Sequence, residues 1–331
     1  MTHTGMPERP PRLKLVMAFA AVYIIWGSTY LAIRYAVETL PPLLFAGARF
    51  MAAGLMLYGW ARLRGAERPR PANWRTALVI GGLLLLGGNG AVVLAERSVP
   101  SGLTALLIAT EPLMVVLLDW ARPGGRRPAG RVALGLLLGM AGMFILIGPA
   151  GLTGAGEVSL GGAGLLMIAT VSWAAGSVYA AKTRTRLSPA LFAGMQMIAG
   201  GALLAVVGMA RGELHGFALA AVSLRSLVSL GYLIVFGSLI GFTSYSWLLR
   251  VTQPSLAATY AYVNPVIAVL LGWALAGESF GLRTLAAAAV ILTAVVLITT
   301  HQPRVEAASA AKKEAGAAPR FGERECLEVG D

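Results

Sequence analysis

The sequence predicts an all-α integral membrane protein of ten transmembrane helices in two inverted five-helix repeats, and three observations carry that prediction. Hydrophobic residues make up 57% of the 331 and charged residues only 13%. The apolar residues gather into ten runs of spanning length, and two pairs of segments match at nearly one offset. A soluble chain carries about a quarter charged residues. The deficit has a cause: an unpaired charge in hydrocarbon is costly, so spanning segments exclude it. With a mean hydropathy of +0.72, the chain reads as one membrane domain with short polar ends.

A helix crossing ~30 Å of hydrocarbon needs about 20 apolar residues. The candidate spans run roughly over 15–36, 43–61, 75–95, 102–120, 131–149, 160–181, 189–209, 227–249, 255–276 and 282–300, separated by Pro, Gly and charge clusters. The first follows Arg9, Arg12 and Lys14, and its Ala18-Phe19-Ala20 imitates a signal-peptide cleavage site. Because the apolar stretch continues to Leu31, it is read as an uncleaved span. The expected organisation is a cytoplasmic segment over 1–12, one half over 13–150 and the other over 155–301. Residues 302–331 are Ala, Glu, Lys and Arg without apolar periodicity, and a disordered cytoplasmic tail is expected there.

A net charge of +12 in a soluble protein would point to nucleic acid. Here most of the 27 basic residues fall in the N-terminal segment, in alternate short loops and in the tail. Only Arg97, Arg211, Arg225 and Arg283 lie near the opposite ends of the spans. Basic loops stay in the cytoplasm, so both termini are placed there. No basic surface with interleaved aromatics suggests a nucleic-acid partner.

The repeat rests on particular residues. SGLTALLIATEPLMVVLLDW from Ser101 and PSLAATYAYVNPVIAVLLGW from Pro254 align with Pro112 over Pro265, an offset of 153. Leu103 then meets Leu256, and Trp120 meets Trp273. WGSTYLAIRYA from Trp26 and WAAGSVYAAK from Trp173 align at a similar offset. Five helices per half is an odd number, so the second half enters the membrane from the opposite face. Secondary carriers use this arrangement, with the site near the midplane between the repeats.

YIIWGSTYLAIRYA from Tyr23, PPLLFAGARFMAAG from Pro41, LLGGNGAVVLAERSVPSG from Leu85 and SLAATYAYVNPVIAVLLG from Ser255 carry a family resemblance. The sequence resembles the EamA branch of the drug/metabolite transporter superfamily over nearly all of 13–300, and within it the YedA-type exporters. The resemblance implies ten helices in two inverted halves and export of small metabolites or drugs across the bacterial inner membrane. Glu111, ahead of Pro112, departs from it, because an uncharged residue is expected there.

At 1.5 Å per residue, Arg49 in the second span lies ~11 Å deep and Glu111 in the fourth ~15 Å deep. Intramembrane ionisable residues expect a partner and mark functional sites. The expected pair is Arg49 with Glu111; alternatively, Arg49 caps carbonyls and only holds the bundle. Pro112 and Asn264-Pro265 interrupt corresponding spans, a pointer to a carrier's binding site, although packing kinks give the same pattern. Trp26, Ser28 and Thr29 in the first span, with Trp173, Ser177 and Tyr179 in the sixth, are further candidates to contact substrate. Asn89, Gln196 and Tyr260 are polar groups at depth and complete the set, and each is equally readable as packing. Glu96-Arg97 and Glu278 fall near the outer surface, where solvated ion pairs are expected.

The single cysteine, Cys326, excludes an internal disulfide and a thiol metal site. His3, His215 and His301 lie in loops or at ends and cannot cluster on a metal. No GxxxxGK[ST] loop and no Ser/His/Asp arrangement at depth is present. The sequence therefore predicts no cofactor, no metal and no enzyme. It predicts a carrier of a small molecule in the lipid bilayer, with protons as coupling ion at Glu111. An uncoupled facilitator is the alternative, and a membrane sensor or scaffold a further one.

Overall fold

The computed structural model describes residues 11–121, 130–152, 159–183, 185–252, 254–257, 259–278, 280–294 and 296–297. The tail expected over 302–331 and nearly all of the expected N-terminal segment lie outside them. Among the described residues every regular element is helical.

Seven helices are long and apolar enough to cross a membrane: α1 (Arg12–Ala36), α2 (Pro42–Leu63), α3 (Pro71–Ala95), α4 (Ser101–Leu118), α6 (Leu160–Lys182), α7 (Pro189–Ala210) and α8 (Leu224–Val251). Where the sequence predicts the fifth, ninth and tenth spans, the apolar helices are shorter: Ala133–Leu146 within α5 (Gly130–Leu152), Val263–Ala276 within α9 (Tyr260–Ala276), and α10 (Leu282–Ala294). Two causes are visible. Gly148 leaves helical geometry inside α5, at φ 61°. In the ninth segment a separate turn, Pro254–Ala257, precedes α9.

Local chemistry fixes the helix ends. Pro42, Pro71 and Pro189 open α2, α3 and α7 in the first turn, where the missing N–H has no helical partner to lose. Ser159, Ser188 and Ser223 cap α6, α7 and α8 by accepting from Gly162, Leu191 and Ser226 amides. Two caps come from far along the chain. Glu213, beyond α7, accepts from the Leu43 and Leu44 amides at 2.9 and 3.0 Å and so closes the start of α2. Glu278, beyond α9, accepts from the Ser101 and Gly102 amides at 2.8 and 3.1 Å and closes the start of α4. Both carboxylates sit where the helix dipole favours negative charge.

Packing follows a paired order. α2 lies against α7 and α4 against α9. α1 packs on α8 and α9, as α6 packs on α3 and α4; α2 also meets α8, as α7 meets α3. The α2–α7 contact is backbone on backbone: a Cβ added to Gly54 would stand 2.9 Å from the Gly194 carbonyl oxygen. Small residues at such seams let membrane helices approach closely. The outer surface is apolar, with Leu63, Leu137 and Trp273 exposed, whereas Arg49 and Glu111 are buried. That arrangement suits a hydrocarbon surround.

Three helices are locally widened to π geometry: α1 over Ala21–Ile25, α3 over Gly82–Gly90 and α8 over Leu233–Phe242. α4 breaks into Ser101–Ile108 and a second piece starting at Glu111, one residue before Pro112. At the break the Thr110 amide and hydroxyl both donate to the Leu107 oxygen, at 3.1 and 2.7 Å. Pro265, by contrast, stays within a continuous α9. Beside it the Asn264 amide, in the orientation that satisfies both its ends, donates to the Tyr23 and Tyr260 carbonyls at 2.9 and 3.3 Å.

Candidate functional site

The widened segments of α3 and α8 and the α4 break converge on one cavity of about 70 Å³ in the middle of the bundle. Its walls come from α1, α2, α3, α4, α6, α8 and α9. π-bulges and broken helices are tolerated in membranes where they line a cavity, and both recur at functional sites.

Seven of the twelve residues expected at the site line this cavity: Trp26, Thr29, Arg49, Asn89, Glu111, Trp173 and Tyr260. One side is an aromatic box. The Trp26 ring meets Trp173 and Tyr260 edge-on at 5.5 and 5.3 Å, and Tyr245 lies 4.9 Å from it. Hydrogen bonds hold the box in place. The Trp26 indole donates to the Gly237 carbonyl at 3.2 Å, and the Trp173 indole donates to the Tyr245 hydroxyl at 3.3 Å.

The charged groups sit at the rim of the box. Glu111 is fully buried; its Oε2 accepts from the Tyr260 hydroxyl at 2.7 Å, and its Oε1 has no protein partner. Arg49 is buried on the α2 wall, with Nε donating to Ser238 Oγ at 2.8 Å and its guanidinium 4.5 Å from the Phe50 ring. Its Nη1 has no protein partner, and neither has Asn89 Oδ1. Buried polar atoms are satisfied in the great majority of cases, so three such atoms at one small cavity are notable.

The expected Arg49–Glu111 pair does not form: among the described residues no ion pair joins them. Ser238 turns the guanidinium towards α8, and Tyr260 turns the carboxyl towards α9. Each charge keeps a free hydrogen-bonding atom as a result.

The other five expected residues lie elsewhere. Ser28 shares a 2.6 Å bond with the Tyr232 hydroxyl, off the cavity face. Ser177 stands behind the box, bonded to the Tyr245 hydroxyl at 2.7 Å. Tyr179 is 43% exposed on the outer surface of α6. Gln196 borders a separate small pocket beside Arg250. Asn264 is spent on the carbonyls of Tyr23 and Tyr260. The sequence reading missed Phe50, Thr170 and Phe242, which line the cavity, and Tyr245 and Ser238, which brace it.

Glu96 and Glu278 also correct the sequence reading. Neither is a solvated ion: Glu96 is 1% exposed, and Glu278 caps α4 with its side chain 6% exposed. Towards the N-terminal end of α1, a groove of about 720 Å³ opens between α1, α2, α7 and α8, with Lys14, Trp60, Arg64 and Trp247 at its edge. Phe50 and Phe242, 6.4 Å apart, line the cavity on that side.

Fold and site together define a polytopic membrane protein with a buried, partly charged cavity at its centre. The EamA-like transporter family matches residues 13–148 and 160–300, and the chain belongs to that family. It is 43% identical over 289 residues to YedA of Escherichia coli strain K12, named an uncharacterized inner membrane transporter, with 87% of this chain and 91% of that one covered. It is 27% identical over 300 residues to YvbV of Bacillus subtilis, named an uncharacterized transporter, covering 90% and 96% of the two chains. A solved crystal structure superposes with a TM-score of 0.61 at 21% identity, covering 87% of this chain and 98% of that one. That likeness bears on the fold.

Proposed function

We propose that this chain is an alternating-access carrier that exports small metabolites or drugs across the bacterial inner membrane, with protons as the coupling ion. The observation that carries the reading is the pair of buried, mutually unpaired charges on one cavity. Arg49 Nη1 and Glu111 Oε1 each offer a hydrogen bond that no protein group uses. A substrate that meets both gains contacts that the empty cavity lacks, and such differential contact is what shifts a conformational equilibrium. The aromatic box would hold the apolar part of the substrate or, through its ring faces, a cationic group.

In this reading ten helices cross the membrane, and the halves over 13–150 and 155–301 are inverted repeats. The packing order supports it, since each pairing named above has a mate when the halves are exchanged. The basic loops support cytoplasmic termini, and YedA's printed name supports the inner membrane. At about 70 Å³ the cavity holds a few water molecules. It would therefore be the occluded form, with Phe50 and Phe242 shutting it off from the groove of the cytoplasmic side.

Glu111 is the proposed proton acceptor: proton and substrate compete for its carboxyl, so that one leaves as the other binds. The test is flux in proteoliposomes over a panel of amino acids and cationic drugs, with and without an imposed pH gradient. Wild type should follow the gradient, and Glu111→Gln should lose at least about tenfold of the gradient-driven rate, worth ~1.4 kcal/mol. Flux that ignores the gradient in both proteins would favour the uncoupled facilitator. No flux in wild type for any compound would revive the sensor or scaffold.

A further inference from the structure

Glu96 stands one residue beyond α3, at the end of the bundle that the proposed orientation places outside. The carrier reading gives it no task. It is 1% exposed, and neither carboxyl oxygen has a protein hydrogen-bond partner. A buried unpaired carboxylate is costly, whereas the protonated carboxyl avoids that cost.

Its charged and titratable neighbours come from three other elements. Arg34 on α1 donates from Nη1 to the Glu96 and Val99 carbonyls, at 3.4 and 3.2 Å. Glu278, following α9, lies 3.8 Å from Arg34 Nε, and its own oxygens are taken up by Ser101 and Gly102. Arg49 on α2 and Tyr30 on α1 approach from the cavity side, within electrostatic reach. Arg34 therefore touches the main chain of one acidic residue and faces the side chain of another. Burial raises the Glu96 carboxyl well above the usual carboxylate range; Arg34 and Arg49 pull against that shift and Glu278 adds to it.

We propose that Glu96 is a second proton-binding site, which holds its proton while the outer end of the bundle is closed and releases it when that end opens. On opening, the O–H bond of the carboxyl breaks, its electron pair stays on Glu96, and outer water takes the proton. The carboxylate left behind pairs with Arg34. Closing reverses the step, with the proton drawn from outer water. Tyr30 lies within reach of both Glu96 and Glu111, so the charge on Glu96 is felt at the substrate cavity. The inference rests on the carrier reading for its setting, but not on Glu111 as the coupling group.

The test is infrared difference spectroscopy of the full-length protein in lipid nanodiscs, titrated from acidic to alkaline pH. Protonated buried carboxyls give a C=O band that vanishes on deprotonation. Glu96→Gln should remove one such band, distinct from the band that Glu111→Gln removes. Arg34→Gln should move the Glu96 midpoint upward by about one pH unit or more, because a cation favouring the charged form is lost. An unchanged spectrum in Glu96→Gln, or a Glu96 midpoint in the ordinary carboxylate range, overturns the proposal. Should Glu96→Gln fail to fold, Glu96→Asp must shift the band, and an unshifted band overturns the proposal equally. Loss of coupled flux in Glu111→Gln is read separately, so either idea can fail alone.

Discussion

Glycine does opposite work in two parts of this molecule. In the seam where α7 meets α2 and α3, glycine faces main chain: an added Cβ on Gly81 would lie 2.5 Å from the Gln196 carbonyl oxygen. In and behind the cavity wall, glycine faces side chains. Added Cβ atoms on Gly88, Gly237 and Gly241 would lie 2.7, 2.8 and 2.5 Å from atoms of Trp173, Arg49 and Trp26. Main chain cannot step aside, whereas an indole or a guanidinium can turn. The seam is therefore a fixed spine, and the wall is where shape can change. The widened turns of α3 and α8 lie in the wall, and that of α1 ends one residue before Trp26.

The largest expected effect comes from attacking the spine. Gly81→Leu should cost upwards of about 3 kcal/mol, because overpacking against backbone has no cheap relief. The measurement is the monodisperse fraction in size-exclusion chromatography, and a normal yield would show that the seam yields too. Gly241→Ala should give folded protein with several-fold lower flux, since Trp26 must turn into the cavity it lines. If that variant aggregates instead, the wall is as rigid as the spine. The smallest effect is expected at Tyr179→Leu, a change on an exposed surface away from both regions, which should stay within ~0.5 kcal/mol in stability and leave flux unaltered.

How much of this was legible in the sequence depends on scale. Span length is set by bilayer thickness, so the second and eighth spans, read as 43–61 and 227–249, appear as Pro42–Leu63 and Leu224–Val251. Glu111, Asn89 and Trp26, all expected at depth, line one cavity. Rotation about the helix axis was used too little. Trp26, Thr29, Tyr30 and Ile33 recur at helical spacing and all line the cavity, while Ser28 falls between them and does not. By the same rule Tyr179, two residues from Ser177 and six from Trp173, cannot share their face. What no spacing reveals is how two helices are turned towards each other. The Arg49–Glu111 pairing was lost there, to Ser238 and Tyr260. Glu96 was misjudged for another reason: nearness to a span end does not tell whether neighbouring segments cover it.

The carboxylates of Glu213 and Glu278 reach from the second half of the chain to the helix starts of the first. They act as stitches between two cloths that the peptide link between α5 and α6 joins only once. A gene cut at that link would yield two polypeptides that still carry the means of recognising each other. Joined or separate, the halves would meet in one register, and divergence of either is held in check by the ends it must close on the other.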